Sequence, residues 1–269
     1  MEIRAGYDLI YRFPAPTPIL LMLSVRPERQ ADLITPDLMR LDPSVPVRRY
    51  LDSFGNLCTR LLAPAGELRI AADFRIADSG DPEPVAPDAC QHPVDELPDE
   101  AMRFLLPSRY CESDALSDEA WRLFGGVEPG WARAQAITAY VHEHLTFGYA
   151  HARNTRTAAQ ALDERVGVCR DFAHTAVALC RAMNIPARYC SGYLGDIGVP
   201  VVGAMDFSAW FEVYLGGRWI TLDARHNKPR IGRIVITRGR DAADTAISVS
   251  FGPHELAKFE VICEEVVSG

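Results

Sequence analysis

Gly167-Val168-Cys169-Arg170-Asp171-Phe172-Ala173 opens an apolar run that closes at Asn184-Ile185-Pro186. Phe172, Ala173, Ala176, Leu179, Cys180 and Met183 recur on one side at helical spacing, which predicts a helix from about Cys169 to Met183 with a buried face. Further along, Ser208-Ala209-Trp210-Phe211-Glu212-Val213-Tyr214-Leu215 and Arg218-Trp219-Ile220-Thr221-Leu222-Asp223 flank Gly216-Gly217. Two glycines between alternating runs signal a two-residue hairpin turn. That turn sets Leu215 opposite Arg218, Trp210 opposite Asp223 and Ser208 opposite Arg225. Ser208, Trp210 and Glu212 then share a face with Thr221, Asp223 and Arg225, while Phe211, Val213, Ile220 and Leu222 face the other way. Helices that precede an antiparallel sheet, rather than alternating with its strands, mean an α+β fold.

Working outward, the first 76 residues read as short extended runs punctuated by Pro, Gly, Asp and Asn, the pattern of a small antiparallel β domain. Residues 77 to 100 hold Pro82, Pro84, Pro87, Pro93 and Pro98, eight acidic side chains and no Lys or Arg, which predicts an extended, solvated linker. Helical signals follow. Ser117 is placed to cap a helix through Phe124, Ile137, Val141 and Leu145 form a stripe on a helix starting at Trp131, and Thr157 is placed to cap a short helix through Leu162. The expected division is a β domain over 1–76, a linker over 77–103 and an α+β domain over 104–269.

Composition narrows the function classes. The 269 residues are 48% hydrophobic and 24% charged, which suits a globular protein with a sizeable core. A net charge of -8 and a pI near 5.4 argue against nucleic acid as a partner. No apolar run reaches the roughly 20 residues of a membrane helix. Met1-Glu2-Ile3-Arg4-Ala5-Gly6-Tyr7 reads as a strand rather than a secretory leader, so cytoplasmic residence is expected. Seven scattered cysteines, with no C-x-x-C pair, predict free thiols and no metal or cofactor site. Cys180 and Cys190 lie in apolar runs and read as core residues.

The chemistry gathers at Cys169. A thiol at a helix N-terminus meets unpaired backbone N–H groups and the positive end of the helix dipole, which favour thiolate, and Arg170 adds a neighbouring cation. Gly167 permits close approach, and the Cys169 N–H is a candidate oxyanion donor. Ser208 and Asp223 are diagonal neighbours on one hairpin face.

Gly167-Val168-Cys169-Arg170-Asp171-Phe172-Ala173, Asn184-Ile185-Pro186-Ala187-Arg188-Tyr189 with Ser191-Gly192-Tyr193, and Ala209-Trp210-Phe211-Glu212-Val213-Tyr214 to Leu222-Asp223 resemble the bacterial transglutaminase-like superfamily. The leading β region resembles the amino-terminal domain such proteins often carry. The resemblance implies a papain-like fold and a Cys-His-Asp triad that transfers acyl groups from peptides or amides through a thioester. Cys169 matches the nucleophile and Asp223 the orienting carboxylate, but the position of the triad histidine holds Ser208. A serine hydroxyl cannot take a thiol proton near neutral pH.

Two readings follow. One is a cysteine-dependent amide or peptide hydrolase with an unusual base. The other is a catalytically silent scaffold that binds a peptide or protein partner in the inherited cleft. Among the other histidines, His174 lies about 140° around the helix from Cys169, and His142 and His144 diverge on their helix. Strand alternation puts His226 on the wrong face unless the strand ends by Asp223 and a loop folds it back. Arg230, Arg233, Arg238, Arg240, Asp241 and Asp244 form a charge run expected on a solvated loop and strand edge.

Overall fold

The computed structural model describes residues 1–201, 203 and 205–267. Six strands come first: β1 (Glu2–Phe13), β2 (Thr17–Leu21), β3 (Arg40–Asp42), β4 (Val47–Leu51), β5 (Leu57–Ala63) and β6 (Gly66–Ala77). Next come α1 (Asp99–Met102), α2 (Ser117–Phe124), α3 (Trp131–His144), β7 (Thr146–Phe147), α4 (Ala158–Glu164), β8 (Val166–Gly167) and α5 (Cys169–Ala182). The chain then runs through β9 (Ala187–Leu194), β10 (Ser208–Leu215), β11 (Arg218–Leu222), β12 (Arg233–Gly239), β13 (Ser248–Ser250) and β14 (Glu255–Glu265).

The fold is α+β. Strands order as β11-β10-β9-β12 in the sheet behind the helices, with antiparallel neighbours throughout. The hairpin has the register that its glycines dictate: Leu215 pairs with Arg218 and Phe211 with Leu222. Gly216 and Gly217 sit at φ 57° and 77°, which side chains with a Cβ resist. On one face of β10, Phe211, Val213 and Leu215 pack against Phe172, Ala176, Val177 and Leu179 of α5. On the other, buried Glu212 is gripped by Arg188 Nε at 2.6 Å and Arg238 Nε at 3.0 Å.

The domain boundaries need correction. β14 pairs with β1 along nearly its whole length and β13 pairs with β2, so residues 248–265 complete the two sheets of the N-terminal β region. Alternation fixes which face a strand buries, not which strand it joins. The β region and the helical unit also share a core. Ile3, Leu9, Leu68, Ile70 and Phe74 cluster with Tyr193, Phe207, Ile234 and Ile236, and Phe74 meets the Tyr193 ring edge-on at 5.8 Å.

Residues 77–103 are not a solvated linker either. Ala86 and Leu97 are buried, Gly216 N–H donates to Cys90 O at 2.9 Å, and Gln91 Nε2 donates to Met183 O at 2.9 Å. The segment is a strap docked on the fold, with Asp78 beside Arg29 and Glu83 on Arg233, while its other acids stay exposed. The charge run on and around β12 is internal only in part: Arg230 and Asp241 are buried and Arg238 holds Glu212, while Arg240 is exposed and pairs with Asp244. Local caps divide. Thr157 and Gln160 form the reciprocal capping box of α4, whereas α2 starts at Ser117 with Leu116 in the cap position and no side-chain cap.

The shared core can be checked with fluorescence, because Trp121, Trp131, Trp210 and Trp219 all lie outside β1–β6. Phe74→Ala should cost about 3–5 kcal/mol and lower the denaturation midpoint read by tryptophan. An unmoved tryptophan midpoint would mean that the two units hold separate cores.

Candidate active site

Three elements converge on Cys169. Val168 is extended, and Asp171 in the first turn of α5 accepts from Val168 N–H at 2.9 Å and from Arg156 Nη1 at 3.0 Å. A Cβ on Gly167 would lie 2.6 Å from Asp171 Cβ, so the close approach at this helix start requires glycine. Cys169 then packs against Ala173 of its own helix, Tyr189 of β9 and Ala209 of β10.

The electrostatics differ from the expectation of a resting thiolate. Cys169 keeps partial exposure, yet burial pushes its thiol up to about 11, opposed by the Arg225 guanidinium and a backbone hydrogen bond with Ala209. Arg170 is not the effective cation: it donates to Arg153 O and lies over the Tyr110 ring. Arg225 takes that part, its guanidinium 3.9 Å from the ring centroid of Phe147, which pairs with Gly167 across β7 and β8.

Asp223 follows the last residue of β11 and is buried. Its Oδ1 accepts from Arg225 N–H at 2.9 Å and His226 N–H at 3.1 Å. Asn227 N–H donates to Asp223 O at 2.8 Å, so Asp223 caps a single helical turn. That turn brings residue i+3 back under the carboxylate: His226 Nδ1 lies 2.8 Å from Asp223 Oδ2. A carboxylate only accepts, so Nδ1 carries a proton, and in the neutral ring the lone pair is on Nε2. Arg233 Nη2 reaches the same oxygen at 2.6 Å. Burial alone would raise the Asp223 carboxyl, but Arg233 and His226 hold it far below the usual carboxylate range. From α3, His142 Nδ1 binds the carbonyls of Ala224 at 3.1 Å and Arg225 at 3.0 Å, and Gln135 Nε2 donates to Asn227 Oδ1 at 2.9 Å, anchoring the turn.

Ser208 opens β10. It is buried, and its Oγ has no partner among the described residues. Alternation puts it on the Trp210 face, opposite the Ala209 face that Cys169 packs against. The structure thus joins Asp223 to His226 and leaves the Ser208 hydroxyl unengaged. Alternation alone mislaid His226, because β11 stops at Leu222. The legible signal was an aspartate able to cap the turn that follows. Arg225 and Arg233 carried no sequence signal. His174 is buried and accepts from Ala242 N–H at 3.1 Å; His144 bonds Leu162 O. Among the described residues no group of His, Cys, Asp and Glu is arranged to hold a metal ion.

Residues 120–224 match the sequence profile of the transglutaminase-like superfamily. This stretch is similar to a transglutaminase-like core. The match takes in Cys169, Ser208 and Asp223 and ends before His226. The crystal structure of a candidate cysteine protease from Cytophaga hutchinsonii superposes with a TM-score of 0.84 at 29% identity, over 100% of this chain and 92% of that one. Its fold therefore accounts for the β region as well as the core. An uncharacterised protein of Mycobacterium leprae is 37% identical over 89 residues, 32% of each chain. One from Mycobacterium tuberculosis is 39% identical over 95 residues, 32% of this chain and 30% of that one. The matches span about a third of these curated relatives. The profile match and the fold support a cysteine-protease or transglutaminase-like function in general terms.

The thiol of this core can be titrated by alkylation. Iodoacetamide labelling of the Cys169 peptide, read by mass spectrometry, should rise about tenfold per pH unit from neutrality, because only the thiolate reacts, and should not level before about pH 11. Exposed Cys90 should label first and the buried cysteines more slowly than Cys169. A plateau near neutral pH would show a resting thiolate instead.

Proposed function

We propose that the protein is a cysteine-dependent amide or peptide hydrolase that works by thioester acyl transfer, with His226 in place of residue 208 as the base. The supporting observation is the 2.8 Å pairing of His226 Nδ1 with Asp223 Oδ2, in a turn whose Arg225 and Asp223 both act on the Cys169 thiol. This is the carboxylate–imidazole half of a Cys-His-Asp arrangement, which is defined by geometry rather than by chain order.

The chemistry follows from those groups. His226 Nε2 takes the thiol proton as Cys169 Sγ bonds to the substrate carbonyl carbon, and the resulting oxyanion is held at the start of α5, where the Cys169 N–H is free of intrahelical bonding. Collapse breaks the C–N bond, and the leaving amine takes the proton from His226. Water, deprotonated by the same Nε2, then attacks the thioester, releasing the acid and restoring the thiol. A second amine in place of water would give transamidation. Since burial disfavours free thiolate, proton transfer and attack are coupled, which makes the base indispensable.

Acylation by p-nitrophenyl acetate tests the assignment, read as a nitrophenolate burst. Cys169→Ala should abolish the burst, and His226→Ala should slow it by about 10²- to 10⁴-fold. Ser208→His should bring no gain, because Asp223 is already engaged. A rate raised by Ser208→His and untouched by His226→Ala would return the base to position 208 and overturn the assignment. A native protein with no burst at all would favour the silent peptide-binding scaffold.

A further inference from the structure

Two donors share Asp223 Oδ2: His226 Nδ1 at 2.8 Å and Arg233 Nη2 at 2.6 Å. Arg233 opens β12, pairs with Leu194 of β9, and has a side chain only 7% exposed. Its guanidinium lies 4.7 Å from the centroid of the Trp210 ring. Its Nε binds the Glu83 carboxylate of the strap, and the other Glu83 oxygen accepts from Arg230 N–H at 2.9 Å. Glu83, Arg233 and Asp223 therefore form one line of alternating charge that ends on the imidazole, buried at Arg233 and Asp223 and half-buried at Glu83 and His226.

We propose that Arg233 is a positioning residue that fixes the Asp223 carboxylate toward His226 and, tempered by Glu83, keeps the imidazole in its neutral, proton-accepting form. The proposal rests on reading Asp223 and His226 as the orienter and base of the site. Two physical effects support it. The first is orientation. Asp223 Oδ1 is committed to the two backbone N–H groups of the turn, and Arg233 secures Oδ2, so the carboxylate plane cannot rotate away from the ring. His226 Nδ1 then has one direction in which to donate, and Nε2 faces away from Asp223.

The second effect is charge. A buried carboxylate alone beside an imidazole favours imidazolium, because an opposite charge stabilises the charged form. Imidazolium is useless as a base. Arg233 compensates Asp223 and repels a second positive charge, which opposes protonation of His226. Glu83 draws off part of that effect from the far side. Among the described residues, the other charged or titratable groups around the pair include Arg225 and Lys228 of the same turn, His142 of α3, Tyr149 after β7, Cys169 of α5, and Asp206 before β10. None of these side chains hydrogen-bonds the Asp223 carboxylate in the way Arg233 does. The strap thereby gains a role: Glu83 couples residues far from the core in sequence to the state of the base.

The test is a chemical-shift titration of the His226 ring in the full-length, ¹⁵N-histidine-labelled protein, assigned by difference with His226→Gln. Arg233→Gln should raise the His226 midpoint by about one unit or more. Glu83→Gln should lower it, since Arg233 then acts uncompensated, and Arg233→Lys should return it near the native value. Opposite shifts from neighbouring substitutions are not produced by a loosened fold. Unmoved midpoints, or shifts of the same sign, would overturn the proposal. If Arg233→Gln does not fold, the Glu83→Gln shift alone decides, with no downward movement counting against. The acid limb of the p-nitrophenyl acetate burst should move with each midpoint. Midpoints that shift as expected in a protein without a burst would uphold Arg233's role on the ring and refute the hydrolase reading.

Discussion

Burying one carboxylate sets the local architecture of the site. A carboxylate in a dry environment must be matched by hydrogen bonds and opposite charge or it takes up a proton. Asp223 finds four donors from two parts of the chain: two backbone N–H groups and a ring nitrogen from the turn, and a guanidinium from β12. Meeting that need ends β11 at Leu222, winds the next residues into a helical turn and draws β12 across. The position of His226 is a consequence of the same need.

Charge compensation by distant partners recurs through the fold. Glu212, on the face of β10 away from α5, is enclosed by Arg188 and Arg238, while Arg233 is shared between Asp223 and Glu83. The acidic strap and the arginine-rich stretch around β12 look like solvated segments when each is taken alone. They meet where Glu83 pairs with Arg233. Removing one member of such a pair leaves the other charge stranded, so the ion pairs specify where the strap lies rather than merely adding stability.

This pairing separates what the sequence discloses from what it hides. Local signals were legible: Gly216-Gly217 fixed the hairpin register, Thr157 and Gln160 the start of α4, and the apolar spacing after Cys169 the buried face of α5. Non-local ones were not. The exposed and buried positions of β14 say that it is a strand, but not that its partner is β1. Composition marks residues 77–100 as acidic and proline-rich, yet the arginine that receives Glu83 lies far along the chain. His226 fell between these classes. Period-two counting carried β11 beyond its end, whereas aspartate's capping chemistry, a local rule, would have folded the ring back onto Asp223.

The enclosure of the thiol and the placement of the ring bear on each other. Packing Cys169 against Ala173, Tyr189 and Ala209 stabilises the helix-to-sheet junction but disfavours the thiolate. A preformed ion pair of the kind that a helix terminus can support is therefore not the resting state. In the proposed mechanism the proton leaves only as the carbon–sulfur bond forms, so the base must be neutral beforehand. An aspartate beside the ring works against that, because it favours the charged form. Arg233 resolves that conflict, because the charge that keeps Asp223 buried also keeps the ring ready to accept. The Asp223 carboxylate is already committed on both oxygens. Serine at position 208 is thus consistent with a site whose carboxylate is oriented toward the turn that follows it rather than toward β10.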